Sequence, residues 1–384
     1  MRINSKIKNM KNKILHVCKY YSPDEGGIET VAKYLAEGLK EFENVVVCFS
    51  TDGRSHIDIV NGIEVHRIAP LFKAFSQDVS VSYMFRLKRI IRQVKPDVIN
   101  IHCPNPFVYP IVMLLAPKGC KIVMLWHADI LAKGIVYKLI KPFETMALNR
   151  ADRVFATSPL YIHPSSPIYK FRDKIDILPN GMIEDNLRLR DGDQEKVEEI
   201  RKRYGNRNLI LFVGRHISYK GIDYLIKADQ YIKSDCRILI AGRGPQTKYL
   251  KSLVHTDRII FLGKVSDDDL RCYYYAADVF GFASINKAEA FGVALIEAMY
   301  CNCVPVTFHI EGSGVNWVSQ NGVTGEEVPL YDVKAYAHAV DKILTDDELK
   351  NRYIGNARKR VVENFTDTIS VETANRLFKK LLGL

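Results

Sequence analysis

Two carboxylates stand out in the second half of the sequence, Glu289 and Glu297, which are separated by seven residues. Glu297 lies within an otherwise apolar helical pattern, and a buried carboxylate without a partner would cost several kcal/mol. We therefore predict that Glu297 has a polar partner. Glu289 precedes the predicted helix, and Gly292 allows close backbone approach at the helix N-terminus, where free N–H groups favour a phosphate.

A pair of cations, Arg215 and Lys220, follows a predicted strand that ends at Val213. A planar guanidinium and a lysine point charge together suit a diphosphate, although the same spacing is also found in ordinary solvated loops. Gly26 and Gly27 follow the first predicted strand and form either an anion-binding loop or a tight turn. The fingerprint Gly-x-Gly-x-x-Gly is absent at these glycines and again at Gly242, which argues against a dehydrogenase.

Short apolar runs alternate with helical patterns in both halves of the chain, which predicts parallel sheets covered on both faces. A highly charged stretch over residues 184–208 separates the two halves. We therefore expect two doubly wound α/β domains, with ligands bound beyond the carboxyl ends of the strands, in a cleft between the domains. The predicted strands cover residues 13–19, 45–50, 97–101, 121–126 and 153–156, then 208–213, 237–241, 258–262, 278–282 and 303–307.

The chain has 384 residues, of which 47% are hydrophobic and 26% charged, which excludes a disordered or collagen-like chain. Its net charge of +11 is concentrated in residues 1–180, which hold 26 Lys and Arg against 16 Asp and Glu. Two basic segments, 86–95 and 133–150, interleave cations with apolar and aromatic side chains, a pattern that suits an anionic membrane surface. A solvated helix face is the alternative, and no nucleic-acid motif accompanies these segments.

Targeting and metal signals are weak in this sequence. Residues 1–13 carry five positive charges without an apolar core behind them, so we expect no secretory signal, and Met10 is a second plausible start. The longest apolar stretch, residues 107–116, is too short to span a bilayer. The eight cysteines are scattered, which favours buried thiols in a reducing, cytoplasmic compartment. Residues 267–269 are three consecutive Asp, which we interpret as a helix cap rather than a metal site.

The motifs together resemble the retaining glycosyltransferases of the GT-B fold, family 4 (group 1). Glu289 to Glu297 matches the Glu-x7-Glu motif of that family, and Gly214-Arg215 with Lys220 matches its diphosphate-binding cations. The resemblance covers most of the chain and, within the family, is similar to bacterial O-antigen and capsule mannosyl- or fucosyltransferases. Further matching segments are Gly26-Gly27, Trp126-His127-Ala128-Asp129, Pro179-Asn180-Gly181 and Gly312-Ser313-Gly314.

The resemblance implies a fold and a set of roles. Residues 1–183 would form an acceptor-binding Rossmann-like domain, with a C-terminal helix at 366–384 packing back onto it, and residues 184–365 a nucleotide-sugar domain. Arg215 and Lys220 would hold the donor diphosphate, and Glu297 the ribose. Glu289 and His127 would contact the transferred sugar, and these two with the cations form the expected catalytic set. The donor site would also include Gly26, Gly27, Gly214, Gly242, Val265, Phe291, Gly292 and Leu295.

The implied activity is transfer of a hexose to a lipid-linked glycan, with GDP-mannose as the preferred donor. A UDP-hexose or GDP-fucose donor is the alternative, and so is a non-catalytic GT-B protein that binds lipid or RNA. We expect a front-face mechanism with no metal or other cofactor and no nucleic-acid partner. The basic first domain would place the protein peripherally on the inner face of the plasma membrane. We interpret His16 and His102, which also lie near strands, as structural.

Overall fold

The computed structural model describes residues 11–24, 26–74, 77–130 and 135–384. They group into two compact units. Unit 1 contains the described residues up to Ala156 together with Ser166–Leu178 and Ser370–Leu384, and unit 2 contains Thr157–Ser165 and Pro179–Ile369. Our predicted boundary lay between residues 183 and 184, whereas residues 157–165 and 179–183 group with unit 2.

Unit 1 is built on a sheet of eight described strands in the order β10-β9-β8-β7-β1-β2-β4-β3. Neighbouring strands are parallel except for β3, which runs antiparallel to β4 at one edge. The central strand β7 is buried along its whole length, as expected for a strand covered on both faces. The strands are β1 Lys13–Val17, β2 Glu43–Phe49, β3 His56–Val60, β4 Ile63–Ile68, a separate hairpin of β5 Phe72–Ala74 and β6 Gln77–Val79, then β7 Val98–Cys103, β8 Lys121–Trp126, β9 Arg153–Ala156 and β10 Ile175–Ile177.

Four helices connect these strands, namely α1 Gly27–Gly38, α2 Val81–Val94, α3 Val108–Leu115 and α4 Ile135–Arg150, and a 3₁₀ segment covers Pro167–Lys174. The crossovers through α2, α3 and α4 all progress in the same direction along the sheet, towards β10. The crossover through α1 progresses in the opposite direction. Because parallel crossovers are right-handed, α2, α3 and α4 lie on one face of the sheet and α1 on the other.

Unit 2 repeats this architecture with a parallel sheet of six described strands in the order β13-β12-β11-β14-β15-β16. The strands are β11 Asn208–Val213, β12 Cys236–Ala241, β13 Ile259–Gly263, β14 Val279–Phe282, β15 Val304–Phe308 and β16 Glu326–Val328. The helices are α5 Glu184–Leu187, α6 Asp193–Arg203, α7 Ile222–Ala228, α8 Thr247–Ser252, α9 Asp267–Ala276, α10 Val293–Tyr300, α11 Val315–Val318, α12 Val333–Thr345 and α13 Asp347–Asn364, with 3₁₀ turns at Pro159–Tyr161, Ser218–Lys220 and Asp229–Tyr231. The prediction of two doubly wound α/β domains is therefore confirmed.

The last helix, α14 Asp367–Leu382, brings residues 370–384 into unit 1. Phe378 is fully buried there and packs edge-on against Phe42 and Phe155, with ring centroids 6.1 and 5.4 Å apart. Val371 lies so close to Gly38 that a Cβ on this glycine would come within 2.6 Å of it. None of the helices formed by the described residues is long and apolar enough to cross a bilayer.

Candidate active site

Two glycine loops in unit 2 meet at the carboxyl ends of β11 and β12. Gly214 donates its N–H to the carbonyl of Ala241 at 3.1 Å, and Gly242 donates to the carbonyl of Gly263 at 2.7 Å. Gly242 has φ +123°, and a Cβ there would lie 1.9 Å from the Gly214 carbonyl oxygen. The predicted site residues Gly214 and Gly242 therefore lie side by side, and only glycine fits at position 242.

Lys220 and Glu289 form a buried ion pair between the loops that follow β11 and β14. Their side chains are only 14% and 10% exposed, and the Lys220 Nζ donates to Glu289 Oε2, which also accepts from Ser284 Oγ at 3.0 Å. Burial opposes the charge on Lys220, but the Glu289 carboxylate outweighs it and raises the pKa of Lys220. The structure therefore brings together two residues that are 69 positions apart in the sequence.

Arg215 lies beside this pair with its side chain exposed. Its guanidinium makes no hydrogen bond or ion pair with another residue in the described part of the chain, yet its charge acts on both Lys220 and Tyr219. The Lys220 charge is neutralised by Glu289, whereas the Arg215 charge is not compensated in this way. The loop after β11 therefore presents an available guanidinium, which suits a phosphate or diphosphate ligand.

The N-terminus of α10 lies directly after Glu289. Gly292 caps it with φ +90°, and the N–H groups of Val293 and Ala294 donate to no other described residue. Ser313 Oγ donates to the Glu289 carbonyl at 2.5 Å, and the Gly314 N–H donates to the Ala290 carbonyl at 2.9 Å. The loop is thus fixed by its neighbours while the helix end keeps donors available for an anion.

Phe291 and Leu295, two predicted donor-site residues, have buried side chains. Phe291 is 2% exposed and packs edge-on against Trp317 and Phe365. Leu295 is fully buried, and its N–H donates to the Gly292 carbonyl at 3.0 Å. Both side chains belong to the core of unit 2, so only backbone groups near Phe291 are placed to meet a ligand.

Glu297 finds its polar partner in Tyr274, whose hydroxyl donates to Glu297 Oε2 at 2.9 Å. Burial raises the pKa of Glu297 to about 7, although the Tyr274 hydrogen bond acts in the opposite direction, and the nearby Asp267 adds to the rise. Val265, which was predicted to flank the donor base, is partly buried and packs against the core before α9. The Asp run begins α9, where Ser266 Oγ accepts from the Asp269 N–H at 3.2 Å.

The predicted site residues of unit 1 lie at the ends of β8 and at the start of α1. His127 follows β8, is 5% exposed, and its Nε2 lies 3.1 Å from Nδ1 of His102. Gly26 caps α1 and accepts from the Thr30 N–H at 2.9 Å, and Gly27 is the first residue of the helix. A Cβ on Gly26 would come 2.2 Å from a carboxylate oxygen of Glu29. The Glu29 carboxylate therefore already lies at the N-terminus of α1.

Sequence reasoning did not identify Tyr274 or Ser284 as parts of the site, and it matched Ser313 to the family without giving it a role. The buried Glu297 signalled that a partner was needed, but Tyr274 lies 23 residues away on another helix and carries no motif. Within residues 11–24, 26–74, 77–130 and 135–384, no group of three His, Cys, Asp or Glu is arranged to hold a metal ion.

Comparison with known proteins agrees with this fold. Residues 25–185 match the model described as Glycosyltransferase Family 4, and residues 193–360 match Glycosyl transferases group 1. The O-antigen chain mannosyltransferase C of Escherichia coli is 29% identical over 379 residues, which cover 96% of this chain and 99% of that protein. The D-rhamnosyltransferase WbpZ of Pseudomonas aeruginosa is 29% identical, with 92% of each chain covered.

The crystal structure of Anabaena Alr3699/HepE in complex with UDP superposes with a TM-score of 0.77 at 17% identity, covering 96% of this chain and all of that one. Two doubly wound units, with a cation loop and a Glu-x7-Glu helix in the second, define a GT-B glycosyltransferase. The chain belongs to glycosyltransferase family 4, and its second unit carries the group 1 domain.

Proposed function

We propose that this glycosyltransferase moves a hexose from a nucleotide sugar to a lipid-linked glycan in cell-surface polysaccharide assembly, with retention of configuration. The observation that carries the proposal is the Lys220–Glu289 pair beside the uncompensated Arg215, next to the free N–H groups that begin α10. This arrangement supplies positive potential for a diphosphate and a carboxylate for sugar hydroxyls. The name of the O-antigen chain mannosyltransferase supports the acceptor class.

In the proposed reaction the bond between sugar C1 and the diphosphate oxygen breaks, and the acceptor oxygen bonds to C1 from the same face. The acceptor proton passes to the departing diphosphate oxygen, while Arg215 and Lys220 stabilise the charge that grows there. Glu289 Oε2 already accepts from Lys220 and Ser284, which makes it a poor nucleophile. This supports a front-face, ion-pair mechanism over a covalent glycosyl-enzyme, and the mechanism requires no metal or cofactor.

GDP-mannose is our preferred donor, and UDP-hexoses and GDP-fucose are the alternatives. Glu297 would accept hydrogen bonds from the ribose hydroxyls, and the loops at Gly242 and Val265 would flank the base. The UDP complex of the Anabaena protein supports a nucleotide-sugar donor as a class. Thermal-shift measurements with GDP, UDP and dTDP sugars test the choice, because a ligand that binds only the folded state raises the melting temperature. We expect the largest shift with GDP-mannose, and no shift with any nucleotide sugar would overturn the proposal.

Transfer activity separates this proposal from a non-catalytic lipid- or RNA-binding protein. Glu289→Gln removes the carboxylate that would contact the sugar while keeping its size. We expect transfer to fall at least about a hundredfold, the loss that follows removal of one electrostatic group from an active site. Glu199→Gln, on the exposed face of α6, is the matched control and should transfer normally. Full activity in Glu289→Gln would argue against a catalytic role for this site.

A surface on unit 1 supports the proposed membrane contact. Along α4 one apolar stripe is exposed, formed by Ile135, Leu139, Phe143 and Met146, with exposed fractions of 75, 68, 47 and 41%. The same helix carries the cations Lys138, Lys141 and Arg150. They line a surface cavity of about 820 Å³ together with Pro142, Thr145, Met146 and Asn149. On the same face of the sheet, α2 exposes Phe85 beside Arg86, Lys88, Arg89 and Arg92. Apolar side chains flanked by cations are the chemistry of an anionic lipid interface.

Vesicle flotation tests this surface. Replacing Arg89, Arg92, Lys138 and Lys141 by Gln should abolish binding to vesicles that contain anionic lipid and leave nucleotide-sugar binding unchanged. A control removes the same charge from exposed positions of unit 2, at Lys202, Lys248, Lys334 and Lys359. Unchanged vesicle binding in the unit 1 variant, or an equal loss in the control, would overturn the membrane role of this surface.

A further inference from the structure

A continuous line of polar side chains crosses the buried centre of the unit 1 sheet, and we name it the polar line. It runs through Asn44 on β2, His16 on β1, Asn100 and His102 on β7, and His127 after β8. His16, Asn100 and His102 are at most 1% exposed, and His127 is 5% exposed. Burying this many polar rings in an apolar core is costly unless each ring finds a hydrogen-bond partner.

Asn44 fixes the direction of hydrogen bonding at one end of the polar line. Its Nδ2 donates to the carbonyl of Leu39 at 2.9 Å, so its Oδ1 faces His16 Nε2 at 3.2 Å as an acceptor. His16 must therefore donate from Nε2. Burial lowers the pKa of His16 to about 4, which keeps the ring neutral and leaves its Nδ1 as a lone-pair acceptor.

Asn100 carries this direction to His102. Its Nδ2 lies 3.2 Å from His16 Nδ1 and 3.3 Å from His102 Nε2. His16 Nδ1 and His102 Nε2 also lie 3.3 Å from each other, so the three nitrogens form a triangle. The amide has two protons and each neutral ring nitrogen has one lone pair, so the capacities match when both nitrogens accept from Asn100. The opposite tautomer of His102 would place two donors on the single lone pair of His16. With its Nε2 accepting, His102 carries its proton on Nδ1, 3.1 Å from His127 Nε2.

We propose that His16, Asn100 and His102 are positioning residues that hold His127 in one orientation and one tautomer, protonated at Nδ1. His127 Nε2 accepts from His102, and the two rings stack with centroids 5.3 Å apart and planes inclined by 22°. This inference rests on the proposed function, in which His127 contacts the transferred sugar. One ring nitrogen of His127 would then be fixed by the core of unit 1.

His102→Phe is the diagnostic variant, because it keeps an aromatic ring for stacking and removes the hydrogen bond. We expect kcat to fall about tenfold, the effect of losing one neutral hydrogen bond that orients a reacting group, with nucleotide-sugar binding unchanged. His102→Gln, which can donate from an amide, should recover part of the activity. His66→Phe, at another buried histidine of the same sheet, is the matched control and should leave kcat unchanged.

A double-mutant cycle separates positioning from a general structural role. In a His127→Ala background, His102→Phe should have no further effect on kcat, because the group that it positions is gone. The proposal would be overturned if the loss of kcat in the double variant equals the product of the two single losses. It would also be overturned if His102→Phe and His66→Phe lose kcat equally.

Nitrogen-15 NMR of the histidine rings in the ligand-free protein tests the tautomers independently of any activity. We expect a proton on Nε2 of His16 and on Nδ1 of both His102 and His127. A proton on Nε2 of His102 would overturn the inference even if transfer activity is found. Absence of transfer with every donor would instead refute the proposed function, and this spectrum would still decide the tautomers.

Discussion

The buried carboxylate of Glu297 makes the stability of unit 2 dependent on pH. Its pKa is raised from 4.5 to about 7, mainly by burial. A carboxyl whose pKa is raised by folding favours the folded state while it is protonated. That advantage is complete below the unfolded pKa and is lost as the pH rises through the folded value. Glu297→Gln cannot ionise, so the variant should gain stability relative to the wild type as the pH rises.

The expected size follows from the two pKa values. Compared with a residue that stays protonated, the shift from 4.5 to about 7 lowers the free energy of unfolding of the wild type. The reduction is up to about 3.4 kcal/mol at about pH 8.5 and about 1.4 kcal/mol at about pH 5.5. The stability difference between Glu297→Gln and the wild type should therefore grow by up to about 2 kcal/mol over this range. Partial exposure of Glu297 reduces this figure through solvent screening. For a unit of this size the change corresponds to roughly 4–8 °C in melting temperature.

Tryptophan fluorescence can follow unit 2 alone. The chain has two tryptophans, and Trp317 is the one in unit 2, so a Trp126→Phe background isolates its signal. Thermal melts of Glu297→Gln at the two pH values should show the growing advantage. Glu199→Gln, at an exposed glutamate of the same unit, should show none. An advantage of Glu297→Gln that is equal at both pH values, or larger at low pH, would refute the reasoning.

Other perturbations of unit 2 have equally definite outcomes. Lys220→Met and Glu289→Gln should each lower the free energy of unfolding by about 3–5 kcal/mol, because each leaves a buried charge unpaired, and the double variant should lose less than the sum in urea denaturation. Gly242→Ala should disrupt nucleotide-sugar binding, since its Cβ would lie 1.9 Å from a carbonyl oxygen. Gly355→Ala, with open space inside α13, should instead raise the free energy of unfolding by about 0.5–1 kcal/mol in the same denaturation. Tyr274→Phe removes the hydrogen bond that lowers the pKa of Glu297. The pKa of Glu297 in the folded state should then rise above about 7, and the melting temperature should go on falling to a higher pH than in the wild type.

The alternation of apolar runs and helical patterns predicted the two sheets because it depends on local periodicity alone. The runs at 121–126 and 208–213 coincide with β8 and β11. Of the strands that it missed, β3, β10 and β16 lie at the edges of the sheets and alternate or are short. The others are β4, which pairs with the edge strand β3, and the separate hairpin of β5 and β6. Ile57 and Ile59 of β3 are 62 and 69% exposed, so this edge strand has no continuous buried run for the sequence to signal.

The site was predictable in its residue types but not in its pairings. The position of Glu297 in an apolar helix implied a partner, and the charge types of Arg215 and Lys220 indicated an anion. The ion pair between Lys220 and Glu289 depends on how loops from two different strands meet, which no local pattern records. His16 and His102 each read as an ordinary core histidine, because the contact between them exists only in the register of β1 with β7.

The placement of α14 has a consequence for the order in which the molecule is made. Unit 1 contains the beginning of the described chain and also residues 370–384, whereas every residue of unit 2 lies between residues 157 and 369. During synthesis the helix that buries Phe378 leaves the ribosome after the whole of unit 2. Unit 2 can therefore fold while translation continues, but the apolar surface around Phe42 and Phe155 stays uncovered until the last helix emerges. Unit 1 can therefore complete its core only after α14 has left the ribosome.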